Sequence, residues 1–147
     1  MKKLFLVSLL FISIASSFAQ IRKIPAEVTQ ALKDKYPNAE NVSWKDKLTV
    51  FSASFEMNSE KFEARFTDKG VWKSTEKEIS ENEIPSEIKD GFEKSKYADW
   101  ELKNVYFIQL PEDVTQYRML VAKSDLQKKN LLFNSDGKLL KDNITLK

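Results

Sequence analysis

The chain contains neither cysteine nor histidine, and these two absences exclude more than any motif establishes. The usual ligands of zinc, copper, haem and iron–sulfur centres are missing. Neither a Ser-His-Asp nor a Cys-His nucleophilic arrangement can be assembled. No disulfide can form, so in an oxidising compartment an apolar core must hold the fold alone. Only three glycines are present, and no glycine-rich loop is available to cradle a phosphate. The apolar run Leu4 to Ile14 is far shorter than the ~20 residues a membrane-spanning helix needs.

What the N-terminus does contain is a positive start, Met1-Lys2-Lys3, that apolar run, and Ser17-Phe18-Ala19 in the small-x-small form of a signal-peptidase site. Together they predict a signal peptide over residues 1–19 and a mature chain beginning at Gln20. No cysteine follows the apolar run, so no lipid anchor is expected. The implied localisation is exported, periplasmic or secreted, with no membrane insertion after cleavage. Lys2 and Lys3 are the only charges removed, which leaves 22 basic against 22 acidic residues from the 24 and 22 of the full sequence. A balanced mature chain gives no support for nucleic acid as a partner.

Ten Phe, four Tyr and three Trp supply the material for a core that needs no staple. Their spacing sets the expected elements. After Pro25, Val28, Ala31, Leu32 and Tyr36 fall on one helical face, and Pro37 ends the helix. Phe51, Ala53 and Phe55 alternate with serines, and Phe62, Ala64 and Phe66 with Glu63 and Arg65; both read as half-buried strands. Asn58-Ser59 between them reads as a hairpin turn. Ile84-Pro85 then restarts the pattern of Ile24-Pro25, with Ile88 and Phe92 as a second helical stripe. Gly91 within that stripe weakens the helix by about 1 kcal/mol unless another backbone must approach it closely. Trp100, Leu102, Tyr106, Ile108 and Leu110 share even parity, as one continuous apolar strand face.

The expected fold class is therefore α+β: two tandem repeats of one helix followed by three or four antiparallel strands, with the helices packed on the sheet. The expected boundaries are 20–80 for the first repeat and 81–147 for the second, fused as one domain. Glu81-Asn82-Glu83 is the short linker between them. The acidic run Glu76, Glu78, Glu81 and Glu83 lacks calcium-loop spacing and reads as a solvated strand edge. Trp44 and Trp100 read as core. Trp72, beside Lys73 and Glu76, stays open as a surface candidate.

Ile24-Pro25, Tyr36-Pro37-Asn38-Ala39, Asn41-Val42-x-Trp44, the Phe51/Phe55 strand and Asp68-x-Gly70-x-Trp72 resemble the PepSY-like family of exported bacterial proteins. The resemblance implies a β-lactamase-inhibitor-protein-like architecture without cofactor or catalytic residue. It also implies a chain that binds, and restrains, another protein such as a hydrolase or protease. The residues themselves leave a second class open, a binder of an extracytoplasmic small molecule or glycan. An enclosed pocket at the junction of the repeats would favour that class.

The residues expected to meet a partner are Val105, Phe107 and Leu120, with Ala122, read as a second apolar face on the strands of the second repeat. A sheet apolar on both sides needs a second cover. A partner protein anchored on Phe107, a homodimer, or packing within the chain would supply it; Trp72 is the further candidate. The leader is testable first. Protein recovered from an exporting host should have the intact mass of a chain starting at Gln20, and retention of Met1 to Ala19 there would overturn the localisation.

Overall fold

The computed structural model describes residues 23–144, so the leader expected over residues 1–19 lies outside the described part. Helix α1 (Ala26–Lys35) is followed by strands β1 (Glu40–Asp46), β2 (Phe51–Met57), β3 (Glu60–Phe66) and β4 (Trp72–Ile79). A 3-10 turn (Glu81–Glu83) then leads to helix α2 (Ser86–Glu93). Strands β5 (Glu101–Gln109), β6 (Thr115–Ala122), β7 (Lys128–Asn134) and β8 (Leu139–Ile144) complete the described chain. All eight strands form one antiparallel sheet, in which each strand lies next to its neighbour in sequence.

This corrects the expected fold class. Among the described residues the protein is mostly one eight-stranded antiparallel sheet with two short helices, of 10 and 8 residues. It is not a pair of tandem helix-plus-strand repeats, and with so little helix beside one continuous sheet it is not clearly α+β. The physical reason lies at Thr75–Ile79, whose residues face Gln109–Val105 in regular register. Hydrogen bonding therefore runs unbroken from the fourth strand to the fifth. The short turn at Glu81–Glu83 is a capped element rather than a free linker. Ser80 and Glu83 close a reciprocal capping box there.

The alternation of apolar and polar residues gives the sheet a core face and an outer face. On the core face two apolar clusters form side by side. One joins Val28 and Leu32 of α1 to Phe51, Ala53, Phe55, Ala64 and Phe66. The other joins Ile84, Ile88 and Tyr97 to Val105, Met119, Val121, Leu131 and Phe133. Trp44 and Trp72 lie partly buried against the first cluster, and Trp100 against the second. Asn58 and Ser59 take positive φ, 53° and 66°, as a two-residue hairpin turn with the twist of its strands requires.

All three glycines of the chain sit where backbone meets backbone. A Cβ on Gly70 would stand 2.6 Å from the carbonyl oxygen of Glu27 in α1. A Cβ on Gly91 would overlap the carbonyl oxygen of Gly137, and one on Gly137 would overlap that of Glu87. Gly70 and Gly137 also hold positive φ, 75° and 80°, in turns that carry β3 into β4 and β7 into β8. The strand turns thus reach the backbone of the helices, at a distance that no side chain permits.

The last strand is tied down by a polar contact. The buried Tyr97 hydroxyl donates to the Asp142 carboxylate, and Lys96 Nζ lies 3.1 Å from the same group. That hydrogen bond first, and the lysine second, hold the Asp142 carboxyl below its ordinary value.

Gly91 gives a prediction by sign. In an ordinary helix Gly→Ala stabilises by about 1 kcal/mol, but here the added methyl meets the Gly137 carbonyl. Gly91→Ala should instead destabilise, by about 1–3 kcal/mol as overpacking does, in denaturant titration. A neutral or stabilising result would mean that the close approach is not maintained in solution.

Candidate functional site

The outer face of the sheet carries a ladder of charged and polar groups that crosses six strands, β2 to β7. Its floor is small: Ser52 and Ser74 are buried beneath longer neighbours. Ser52 Oγ donates to Glu63 Oε1 at 2.6 Å, and Arg65 Nη2 lies 3.1 Å from the same oxygen. Arg65 also reaches Glu76 Oε2 at 3.5 Å. From the other side Arg118 Nη2 donates to Glu76 Oε1 at 2.8 Å, and its Nη1 to Asn130 Oδ1 at 3.3 Å. The Arg118 guanidinium stands 4.1 Å from the centre of the Tyr106 ring, within cation–π range. Glu76, clasped between two arginines, keeps 11% of its side-chain exposure.

This placement corrects the reading of the acidic run. Glu76 and Glu78 do not form a solvated edge, because β4 is an interior strand with neighbours on both sides. Alternation puts Glu76 on the outer face, in register with Glu63 of β3 and Ile108 of β5. Its arginine partner Arg118 lies 42 residues away in the chain.

The electrostatics keep Glu63 charged and Tyr106 neutral. Burial alone would raise the Glu63 carboxyl, but the Ser52 hydrogen bond and the Arg65 charge outweigh it, and the group is held below its ordinary value. A general acid needs the opposite shift. Burial pushes the Tyr106 phenol up, with Glu78 adding to it, so Tyr106 stays a neutral ring under the guanidinium. Among the described residues no group of three or more Asp, Glu, His or Cys is placed to hold a metal ion, and no helix is long and apolar enough to cross a membrane.

The five residues expected to meet a partner are separated by the structure, and Ala122 among them is buried. A bulge at Lys103 interrupts β5 between Leu102 and Asn104. Beyond it the parity of the strand is inverted. Val105 faces Met119, is 3% exposed and belongs to the second core cluster; it cannot be a surface contact. Phe107 faces Tyr117 on the same core face, with ring centres 5.6 Å apart, and is half-buried. Tyr106 and Ile108, expected inside, turn to the outer face instead. Leu120 is opposite Asn104 and Asn130, half-buried on the outer face, two residues from Arg118. Trp72 is half-buried on the core face. Its Nε1 donates to Thr75 Oγ1 at 2.9 Å, and Lys35 Nζ stands 3.7 Å from its ring.

Sequence reasoning missed Arg118 and Tyr106. One signal was available for the first, a lone arginine within the otherwise apolar run Tyr117 to Ala122.

Comparison with known proteins gives the family. The sequence profile of the PepSY-like family, provisionally described as beta-lactamase-inhibitor-like, matches residues 49–141, well over half of the chain. A solved protein of Bacteroides eggerthii, provisionally described as periplasmic, superposes with a TM-score of 0.75 at 26% identity, covering 84% of this chain and 90% of that one. A DUF2874 family protein of Bacteroides ovatus gives 0.75 at 25% identity, with 84% and 89% covered. A BLIP-like protein of Bacteroides fragilis gives 0.73 at 26% identity, with 86% and 90% covered. No curated protein matches significantly.

Glu63 carries the pH prediction of this site. Its folded value is depressed, so its contribution is present above its ordinary value of about 4.3 and is lost as pH falls through the folded one. Glu63→Gln should therefore destabilise the protein at neutral pH, and the difference from wild type should vanish near pH ~2. Thermal unfolding at both pH values reads this. An undiminished difference in acid would mean that Glu63 acts by packing and not by charge.

Proposed function

The chain belongs to the PepSY-like family, and from that membership and the open outer face of its sheet we propose that it is an exported, non-catalytic protein-binding module. In this reading it restrains an extracytoplasmic hydrolase or protease by occupying it. The signal peptide expected over residues 1–19 would deliver it, and its similarity to a protein provisionally described as periplasmic supports the same destination.

The observation that carries the reading is the Arg118–Tyr106 pair at the centre of the ladder. Arginine and tyrosine are enriched among residues that dominate interface energies, because each combines a large apolar surface with directed hydrogen bonds. Arg118 is already held by Glu76, Asn130 and the Tyr106 ring, so little rotamer freedom remains to be lost on association. Leu120 lies beside it as an apolar neighbour. The serine floor leaves the charged side chains standing as relief rather than as a flat surface.

The test begins with the chain from Gln20 as bait in extracytoplasmic extract of the native host. Each retained protein is then purified and titrated against the bait alone. The expected partner is a hydrolase or protease whose activity falls on binding. Arg118→Ala and Tyr106→Ala should each weaken that complex by about tenfold or more, with folding checked by thermal unfolding. A partner that binds both variants with unchanged affinity would move the interface off the outer face. No direct pairwise complex at all would overturn the function.

A further inference from the structure

The two core clusters do not meet perfectly. Between them, on the core face, Tyr36, Met57, Phe62 and Phe107 wall a recess of about 170 Å³ that is open on one side. Its walls are held in place by further rings. Tyr36 and Phe62 both pack on Phe55, with centres 5.0 and 5.6 Å apart, and Phe107 meets Tyr117 edge to face. The volume is well below the roughly 300–1,000 Å³ of a drug-sized site. It is close to the ~150 Å³ of an engineered apolar cavity that accepts benzene. One ring fits.

Thr75, Glu76, Lys77 and Gln109 also border this space. Glu76 gives its carboxylate to Arg65 and Arg118 on the opposite face, and the other three side chains are not equally available. The Thr75 hydroxyl is engaged by the Tyr36 hydroxyl at 2.6 Å and by Trp72 Nε1 at 2.9 Å. The Gln109 amide lines the recess half-buried, and among the described residues its side chain has no hydrogen-bond partner. Lys77 Nζ donates to Glu60 Oε1 at 2.8 Å, one bond for a group with three donors. It also stands 5.9 Å from the centre of the Phe62 ring. In the sheet register Lys77 faces Phe107 and Thr75 faces Gln109. Lys77 and Gln109 are thus diagonal neighbours on one face, within reach of a common ligand for long side chains.

We propose that this recess binds a monocyclic aromatic carboxylate. The ring would lie between Phe62 and Phe107, and the carboxylate would accept hydrogen bonds from Gln109 Nε2 and Lys77 Nζ. Apolar walls alone would suit any small hydrocarbon; the unpartnered amide beside an ammonium selects the anionic head. The site is on the face opposite the Arg118 ladder and does not depend on the protein-binding reading. Phe107 has its role here as a wall of the recess.

The probe is phenylacetate, titrated into nitrogen-labelled protein by NMR to about 20 mM, the range in which so few ligand atoms can still saturate a site. Two resonances report on the recess, the Gln109 side-chain amide and Trp72 Nε1–H, which donates to the lining Thr75. Both should move saturably and together. Acetate, which has the charge without the ring, and benzyl alcohol, which has the ring without the charge, should each bind roughly tenfold more weakly, since each forgoes either the apolar contact or the charge-assisted bonds. Gln109→Leu and, as an independent variant, Lys77→Met should weaken phenylacetate similarly while each retains a folded spectrum. Shifts that rise linearly without saturation, acetate matching phenylacetate, or unchanged affinity in both folded variants would each overturn the proposal.

Discussion

The structure depends on how closely the turns of the sheet can approach the short helices. With no cysteine, no disulfide helps to hold the sheet, and a sheet buries nothing unless one face is covered. Helices of 10 and 8 residues are too short to persist alone in water. They are kept by the apolar side chains they place among the strands and by backbone contact at Gly70, Gly91 and Gly137. At those points the chain has spent its entire complement of glycine. Val28, Leu32 and Ile88 can therefore reach full burial, each contributing on the order of 1.5–3 kcal/mol by leaving water.

The consequence is a molecule with two unlike faces. The core face is packed by its two clusters, with a recess where they meet. The outer face is satisfied by its own charges. Glu76 takes one arginine from the preceding strand and another from the far side of β5. Such partly exposed pairs contribute modestly to stability, and their value lies in fixing the direction of the side chains. A surface so arranged presents a set geometry to whatever meets it.

Much of this was legible where pattern is local. The alternation at Phe51–Phe55 and Phe62–Phe66 gave β2 and β3, and the stripe from Val28 to Tyr36 gave α1 to within a residue at each end. Gly91 was marked as tolerable only under close backbone approach, which is its situation. What could not be read was non-local or register-dependent. One extra residue at Lys103 exchanges the faces of β5, so parity counted across it assigned Val105 and Phe107 to the wrong side. The join between β4 and β5 is made by hydrogen bonds that no side-chain pattern records, and two apparent units became one sheet. Glu76 looked solvated because its partner Arg118 is remote in sequence. The recess was equally hidden, since its walls come from the end of α1 and from three different strands.

The strictly sequential order of the strands has a kinetic meaning. No strand is inserted between two earlier ones, so every ladder but one closes through a hairpin, and the loop entropy to be overcome at each step is small. Low separation between paired residues favours rapid folding. The exception is β4 with β5, which must wait until the turn and α2 have bridged them. Each strand can thus pair with its neighbour in the chain, whichever ladder forms first. At each stage an exposed edge offers hydrogen bonds to the segment beside it in the chain, whose residues are the ones nearest to take them.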